Sequence, residues 1–300
     1  MKGLISISDL TKAEIYDIIE LSLELKEKRL KGKFSDDLKY HSLGMIFEKP
    51  STRTRISFEV AMTHLGGHSI YLNWHDLQLG RGETIADTAK VLSGYVNAVA
   101  IRANHHGSII ELQKNASIPI INALSNLEHP CQSLADLMTI YEKKGKLIGE
   151  KFAWIGDGNN VCNSSILACA ITGIDIDVAC PPGYEPDKTI VEKARKMCTV
   201  RILHDPIKAS ENADVLYTDT WVSMGDEETY AQRMDDFSNY RINERLIEVA
   251  KNDVIVLHCL PAHRGQEITS DVMDGEHSAI FSQAENRLHT QKALLLRLLK

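Results

Sequence analysis

The sequence lacks the features that mark several broad classes of protein. Its six cysteines include no C-x-x-C pair, and such scattered cysteines indicate free thiols in a reducing compartment rather than a disulfide framework. Basic residues are not in surplus, since 34 Lys and Arg stand against 41 Asp and Glu, for a net charge of -7. A nucleic-acid-binding surface must neutralise phosphates, so nucleic acid is not an expected partner.

Long apolar runs are also missing. No window approaches the roughly 18 uninterrupted apolar residues that indicate a membrane span. The amino-terminal segment has no apolar stretch flanked by a cleavage site. Instead it carries Thr11 followed by Glu14, a capping-box spacing that is typical of the start of an amphipathic helix. We therefore expect a cytoplasmic protein that does not interact with membranes.

Short apolar, β-branched runs alternate with helical patterns throughout the chain. The candidate strands lie at 43–48, 97–102, 118–122, 152–156, 174–180, 199–204, 214–219 and 253–259. Such alternation indicates βαβ units and parallel sheets. We predict an α/β fold of two lobes, each a mainly parallel sheet flanked by helices, with helical connections between the lobes. The polar segment 143–151 divides the chain into one domain at 1–145, joined by a carboxyl-terminal helix at 285–300, and a second at 146–284.

The first candidate site follows the predicted strand at 43–48. The segment STRTR at 51–55 alternates hydroxyl and guanidinium groups where a helix is predicted to begin. A helix amino terminus presents unpaired N–H groups to an anion, and arginine side chains suit phosphate. We interpret the segment as a phosphate site, the alternative being a capped helix with solvated arginines.

Five further motifs carry polar chemistry: DLQLGRGET at 76–84, HPCQSLAD at 129–136, GDGNNV at 156–161, DTWVSMG at 219–225 and HCLPAHRG at 258–265. In HPCQSLAD, His129 and Gln132 are good donors to a carbonyl or phosphate oxygen, although a lone histidine is more often structural. Taken alone, the segment 76–84 can be either an exposed loop with a helix cap or a functional loop.

The remaining motifs each leave two interpretations open. The turn at 156–161 resembles a dinucleotide loop, but Val161 replaces the third glycine, and its asparagines can instead present amides to a small polar ligand. Asp219 follows a strand, where it can hold an ammonium group or cap a turn. Cys259 lies between histidines and can be a nucleophile or a zinc ligand, although no second cysteine lies at ligand spacing.

Taken together and in order, these motifs resemble those of the aspartate/ornithine carbamoyltransferase family. The resemblance rests on STRTR at 51–55, HPCQSLAD at 129–136, DTWVSMG at 219–225 and HCLPAHRG at 258–265, and it extends from about residue 40 to AENR at 284–287. Within the family, Cys259 and the SMG segment resemble the ornithine-specific enzymes, because the aspartate enzymes typically have proline where Cys259 stands.

The resemblance implies an enzyme that transfers the carbamoyl group of carbamoyl phosphate to the δ-amino group of L-ornithine. The products would be L-citrulline and phosphate, in arginine metabolism. No metal or organic cofactor is expected, because carbamoyl phosphate is already activated. The alternatives are a carbamoyltransferase for another amine such as putrescine, or a non-catalytic carbamoyl phosphate-binding protein. A nucleotide-dependent oxidoreductase built on the turn at 156–161 would leave the other motifs without a role.

The resemblance also implies roles for individual residues. The residues implied in carbamoyl phosphate binding are Ser51, Thr52, Arg53, Thr54, Gln78, Arg102, His129, Gln132, Cys259, Leu260 and Arg287. Those implied in ornithine binding are Asn160, Asp219, Ser223 and Met224. Arg102 and His129 would act in catalysis by stabilising the carbonyl oxygen, and Asp219 and Cys259 by orienting the amine. In the family Gln78 is supplied across a subunit interface, which implies a homotrimer with shared active sites.

Overall fold

The computed structural model describes residues 2–222 and 227–300 and divides into two compact units. The first unit is the chain up to Met138 together with Glu285–Lys300, and the second is Thr139–Ala284. The strands of the first unit are β1 Gly3–Leu4, β2 Ser42–Phe47, β3 His68–Asn73, β4 Ala98–Arg102 and β5 Ile120–Leu124. Its helices are α1 Lys12–Leu30, α2 Thr52–His64, α3 Ile85–Ser93 and α4 His106–Asn115, followed by α5 Pro130–Lys144, within which the first division falls.

The first sheet is parallel throughout, with its strands in the order β1-β5-β4-β2-β3. Apolar side chains of the sheet pack against those of α3 and α4, which covers one face of the sheet and forms its core. The buried residues of this core are Ile5, Ile46, Ala89, Val96, Val99, Ile101, Ala103, Ile109, Leu112 and Ile120. Strands buried in this way read as continuous apolar runs, which is why the sequence shows them.

The second unit repeats this architecture. Its strands are β6 Lys151–Ile155, β7 Asp175–Ala179, β8 Val200–Leu203, β9 Val215–Thr218 and β10 Ile255–His258. They form a parallel sheet in the order β10-β9-β6-β7-β8. The helices are α6 Asn160–Thr172, α7 Lys188–Ala194, α8 Pro206–Ser210, α9 Tyr230–Asp236, α10 Glu244–Val249, α11 Ser270–Asp274 and α12 Ile280–Leu299, within which the second division falls.

The predicted fold class is confirmed, and each predicted strand is present to within a few residues. The capping box is confirmed as well: the Oγ1 of Thr11 accepts the amide of Glu14 at 3.3 Å, and a carboxylate oxygen of Glu14 accepts the amide of Thr11 at 2.8 Å. The predictions omitted β1, which has only two residues, and β3. β3 is an edge strand whose residues are half-buried or exposed, so it lacks the apolar run that marks the inner strands.

The order of the strands determines which loops are neighbours. In the first sheet β5, β4 and β2 are adjacent, and in the second β10, β9 and β6 are adjacent. Ligands of parallel α/β sheets bind outside the carboxyl ends of the strands. Each unit therefore brings together the motifs that follow three adjacent strands. Within the residues described, no helix is both long and apolar enough to cross a membrane.

Candidate active site

The STRTR segment forms the start of α2, directly beyond the carboxyl end of β2. Ser51 is the N-cap residue, and its side chain accepts the amide of Thr54 at 3.4 Å. Thr52 and Arg53 are exposed, whereas Thr54 is buried. The cap thus satisfies one amide of the first turn, while the exposed residues and the positive end of the helix dipole are available to an anion.

A buried chain of hydrogen bonds links this turn to α12 and α5. Arg287 donates one guanidinium nitrogen to the Oγ1 of Thr54 at 3.1 Å and another to the Oε1 of Gln132 at 2.7 Å. Gln132 in turn donates its amide nitrogen to a carboxylate oxygen of Asp136 at 2.8 Å. Asp136 thus fixes the orientation of the Gln132 amide, whose oxygen faces the guanidinium. Three predicted residues from distant parts of the chain lie together here.

His129 and Arg102 belong to the same cluster. Arg102 is the last residue of β4, His129 precedes the first residue of α5, and both are buried. Burial holds the pKa of His129 well below its ordinary value, and the positive charges of Arg287 and Arg102 lower it further. The imidazole is therefore neutral near pH 7, so it can donate one hydrogen bond without adding a positive charge.

Two motif residues of the first unit, Arg55 and Gln78, form no side-chain hydrogen bond with this cluster in the part of the chain that the structure describes. The Nε of Arg55 donates to Glu59 at 2.9 Å, and its guanidinium lies over the ring of Tyr71, 4.0 Å from the centroid. Arg55 therefore has partners of its own on α2 and β3. Gln78 is exposed in a 3-10 turn, Gln78–Arg81, and across the described ranges we find no hydrogen bond from its side chain to the cluster.

In the second unit, Asp219 follows β9 and its carboxylate is held by three donors. One oxygen accepts the backbone amide of Thr220 at 2.8 Å and the thiol of Cys259 at 2.9 Å. The other accepts the side-chain amide of Asn159 at 2.8 Å. Asp219 is 9% exposed and Cys259 is half-buried, so a carboxylate and a thiol lie side by side at the carboxyl edge of this sheet. This pair offers acceptors to an amine.

The HCLP segment at 258–261 forms the other part of this group. Leu260 has a φ of 61°, in the left-handed region that non-glycine residues seldom occupy. Its amide donates to the Nδ1 of His258 at 2.9 Å, and the Nε2 of His258 lies 3.1 Å from a carboxylate oxygen of Glu267. These two bonds link the backbone that follows Cys259 to His258, and His258 to Glu267.

The other predicted positions of the second unit have different outcomes. Asn160 is the first residue of α6, next to the N-cap residue Asn159. Ser223 and Met224 lie outside the described residues. Of the two glycines in the 156–161 turn, Gly158 has a local explanation, since a Cβ there would lie 2.2 Å from the backbone nitrogen of Pro186. Gly158 therefore permits a close approach of the chain to itself, which removes one reason to interpret the turn as a dinucleotide loop.

Among the described residues, a set of possible metal ligands occurs at this edge. One ligand atom from each of Asp219, His258 and Cys259 lies within 4.8 Å of the others. However, both ring nitrogens of His258 already have hydrogen-bonding partners, and the thiol donates to Asp219. A metal would have to displace one of these bonds, so the donors are better arranged for one another than for an ion.

Two residues of the site, Asp136 and Glu267, were not found from the sequence. The asparagines of the 156–161 turn were interpreted as amide donors to a ligand, whereas the amide of Asn159 donates to Asp219. Asp136 lies four residues after Gln132, a spacing that places the two on one helix face, and this signal was available. Asn159 is also a favourable N-cap residue a few residues after a strand, and the sequence shows this signal. Glu267 is nine residues from His258 across an irregular loop, and the sequence carries no periodic signal for that contact.

These features define a class of protein: a two-domain α/β chain with an arginine-rich cluster at the edge of one parallel sheet and a carboxylate–thiol pair at the edge of the other. Residues 2–142 match the aspartate/ornithine carbamoyltransferase carbamoyl-P binding domain, and residues 148–298 match the Asp/Orn binding domain of the same family. The chain belongs to the aspartate/ornithine carbamoyltransferase family, as its motifs indicated.

Individual relatives resemble the chain over nearly its whole length. It is 55% identical to the ornithine carbamoyltransferase of Archaeoglobus fulgidus, over 100% of this chain and 98% of that protein. It is 50% identical to that of Pyrococcus horikoshii, over 99% and 96% of the two chains. Among solved structures, ornithine carbamoyltransferase from Pyrococcus furiosus matches with a TM-score of 0.96 at 49% identity, covering 99% of this chain and 97% of that one. The anabolic enzyme of Campylobacter jejuni matches with a TM-score of 0.93 at 40% identity, covering 99% of each chain.

Proposed function

We propose that the chain is an ornithine carbamoyltransferase, which transfers the carbamoyl group of carbamoyl phosphate to the δ-amino group of L-ornithine. The observation that carries the proposal is the pairing of opposite chemistry in a member of this family. A buried guanidinium joins Thr54 to Gln132 in one unit, and a carboxylate and a thiol meet in the other. The first suits a phosphate and a carbonyl oxygen, and the second suits an amine.

In this proposal the first domain, residues 1–145 with 285–300, binds carbamoyl phosphate. Its phosphate ligands are the hydroxyls and amides at the start of α2 and the exposed guanidinium of Arg53, because such groups bind phosphate oxygens strongly. The complete proposed set is Ser51, Thr52, Arg53, Thr54, Gln78, Arg102, His129, Gln132 and Arg287, with Cys259 and Leu260 from the second domain.

The carbonyl oxygen of carbamoyl phosphate gains negative charge as the amine attacks, and Thr54, Arg102 and His129 would stabilise it. His129 acts as a neutral donor, because its pKa lies well below its ordinary value through burial and neighbouring guanidinium groups. Because the imidazole of His129 is already neutral near pH 7, its protonation does not have to change before it donates. Its contribution is a fixed hydrogen bond to the developing oxyanion.

The second domain, residues 146–284, binds ornithine in this proposal. Ornithine arrives with a charged δ-ammonium, which must lose a proton before it can attack. The carboxylate of Asp219 attracts the ammonium, and the thiol of Cys259 with the carbonyl of Leu260 orients it. Asn160, Ser223 and Met224 would bind the amino-acid end. Once the δ-ammonium has given one proton to solvent, the amine nitrogen forms a bond to the carbonyl carbon and the carbon–oxygen bond to phosphate breaks. The departing phosphate takes the second proton that the nitrogen loses.

The decisive experiment is a colorimetric assay of ureido products with carbamoyl phosphate and three amines in parallel: ornithine, putrescine and aspartate. We expect turnover with ornithine to exceed that with either other amine. A higher rate with putrescine would retain the carbamoyl phosphate half and reject the assignment of Ser223 and Met224. Binding of carbamoyl phosphate by calorimetry without turnover of any amine would indicate a binding protein.

We also propose a cytoplasmic homotrimer, in which Gln78 of one chain completes the site of its neighbour, and a role in arginine metabolism. The trimer follows from the resemblance, in which Gln78 is supplied across a subunit interface, and it is supported by the exposure of Gln78 at the surface of the first unit. All six cysteines are free thiols, which suits a reducing compartment.

Mixing two impaired variants tests the shared site. Gln78→Ala and Arg53→Ala are each expected to retain little activity. After dissociation and reassociation of an equal mixture, about a quarter of the sites would receive an intact Arg53 from one chain and an intact Gln78 from the next. Recovery of activity with a trimeric mass by light scattering supports the proposal. A trimer that regains no activity would reject the sharing of Gln78.

A further inference from the structure

We infer that Glu267 is a positioning residue for the reaction, which acts through His258 to fix the thiol of Cys259 and the carbonyl of Leu260. The inference rests on the proposed function for its consequence in catalysis. The contacts that carry it all lie within the second unit. They form one continuous path from a fully buried carboxylate to the loop that would hold the amine.

The path begins at the backbone of Leu260. Its φ of 61° is unfavourable for a residue with a Cβ, so the surrounding structure must hold it. The hydrogen bond that does so runs from the amide of Leu260 to the Nδ1 of His258 at 2.9 Å. Because the same peptide unit follows Cys259, this bond also restricts where the thiol can lie, 2.9 Å from the carboxylate of Asp219.

The amide of Leu260 can only donate, so the Nδ1 of His258 must be its unprotonated nitrogen. A neutral imidazole then carries its proton on Nε2. That nitrogen lies 3.1 Å from the Oε1 of Glu267, which therefore accepts the proton's hydrogen bond. Glu267 thus selects the tautomer of His258 that can accept the amide of Leu260. If His258 adopted the other tautomer, its Nδ1–H would face the N–H of Leu260.

Both partners are fixed from other directions. His258 and Glu267 are completely buried. The backbone amide of His258 donates to Gln283 at 2.9 Å, and the Oε1 of Glu267 also accepts the amide of His263 at 2.5 Å. The other oxygen of Glu267 lies 3.8 Å from the Nδ1 of His263. The carboxylate therefore spans the base of the loop and holds the imidazole against it.

A matched pair of substitutions separates this role from simple packing. Glu267→Gln retains an oxygen that can accept from Nε2, whereas Glu267→Met has similar length and volume and no such acceptor. We expect Glu267→Gln to behave like the unmodified enzyme. In Glu267→Met, the KM for ornithine should rise about tenfold, with a smaller change in kcat. Inhibition by inorganic phosphate should not change, because phosphate would bind to residues of the first unit.

The reactivity of the thiol provides a readout that needs no turnover. Alkylation with iodoacetamide is followed by peptide mass spectrometry, which distinguishes Cys259 from Cys198, the other half-buried cysteine. In Glu267→Met, Cys259 should react about fivefold faster or more, because its thiol leaves Asp219, while Cys198 keeps its rate as an internal control. Equal rates at Cys259 in the Gln and Met variants would overturn the inference, and so would an equal acceleration at both cysteines.

A measurement on the unmodified protein covers the case in which Glu267→Met does not fold. The imidazole ¹⁵N chemical shifts of labelled His258, assigned by their loss in His258→Asn, should report a proton on Nε2. A proton on Nδ1 would overturn the inference. If the protein proved inactive with every amine, the proposed function would fail, but the labelling and the ¹⁵N shifts would still test the role of Glu267 in the loop.

Discussion

The two units build opposite chemistry on the same scaffold. Each has a five-stranded parallel sheet among the described residues, and each gathers polar side chains beyond three adjacent strands. In the first unit Arg287 connects Thr54 and Gln132 next to a neutral imidazole. In the second, a carboxylate accepts bonds from an amide and a thiol. The sheet therefore determines where a ligand binds, and the residues after each strand determine the charge of the binding site.

The elements that carry the two sets of residues also differ. Thr54, Gln132 and Arg287 lie on the helices α2, α5 and α12. Asp219, Cys259 and Leu260 lie in loops after β9 and β10. Side chains on helices are positioned by the packing of the whole element, whereas loop residues depend on local hydrogen bonds. Single substitutions in the two sets should therefore separate the binding of phosphate from the handling of the amine.

The largest effect is expected at Arg53. Replacing it with Ala removes an exposed guanidinium from the positive end of α2, and kcat/KM for carbamoyl phosphate should fall about 10³-fold, or about 4 kcal/mol. Initial-rate kinetics measures this. Arg55→Ala is the matched control, because Arg55 is bound to Glu59 and Tyr71, and it should retain most of the activity. An equal loss in both variants would mean that α2, rather than the phosphate contact, was damaged.

The next effect isolates the amine. In Asp219→Asn the shape is retained and the negative charge is lost, so kcat/KM for ornithine should fall about 10²-fold, while inhibition by inorganic phosphate stays the same. The control is Asp175→Asn, at the opposite end of the same sheet, where the carboxylate accepts the amide of Thr199 at 2.9 Å. A parallel loss of phosphate affinity in Asp219→Asn would contradict the division of labour between the two units.

Most of the fold could be predicted from the sequence, because buried parallel strands appear as short apolar runs between helices. β3 could not, because an edge strand with one exposed side carries mixed residues. The site was predicted unevenly for a related reason. Ser51 and Asp219 follow strands directly and can be located by that pattern, whereas Arg287 was assigned only through the resemblance to the family.

The residues that support the site were the hardest to predict. Asp136 and Glu267 bond to Gln132 and His258. The four-residue spacing places Asp136 beside Gln132 on one helix face, but it does not show that the bond supports a site. The partner of Glu267 depends on how a loop is placed, which is a tertiary property, so hydrogen-bond geometry was needed to identify it.

A smaller effect is expected at Asp136. Asp136→Leu removes the acceptor for the amide of Gln132, so that amide loses its fixed orientation toward Arg287, and the KM for carbamoyl phosphate should rise about tenfold. Asp136→Asn retains an oxygen in the same place and should show less than half of that rise. Steady-state kinetics with both variants measures it. If the Asn variant were as impaired as the Leu variant, the charge of Asp136 would matter rather than the hydrogen bond.

The smallest effect concerns stability, and it compares how the two units accommodate buried ionisable side chains. In the second unit the buried Asp177 and Asp214 pair with Arg201 and Lys251. In the first, burial and the positive charges of nearby residues lower the pKa of His289 to about 3.

The unfolded chain protonates His289 near pH 6.5 and the native chain does not, so the free energy of unfolding falls as pH drops below that value, by about 0.8 kcal/mol at pH 6. His289→Leu should remove this loss, which urea unfolding at pH 6 and pH 8 measures. The urea midpoint of the variant minus that of the unmodified protein should be more positive at pH 6 than at pH 8, where the imidazole is neutral in both states. An equal difference at the two values would show that His289 titrates normally.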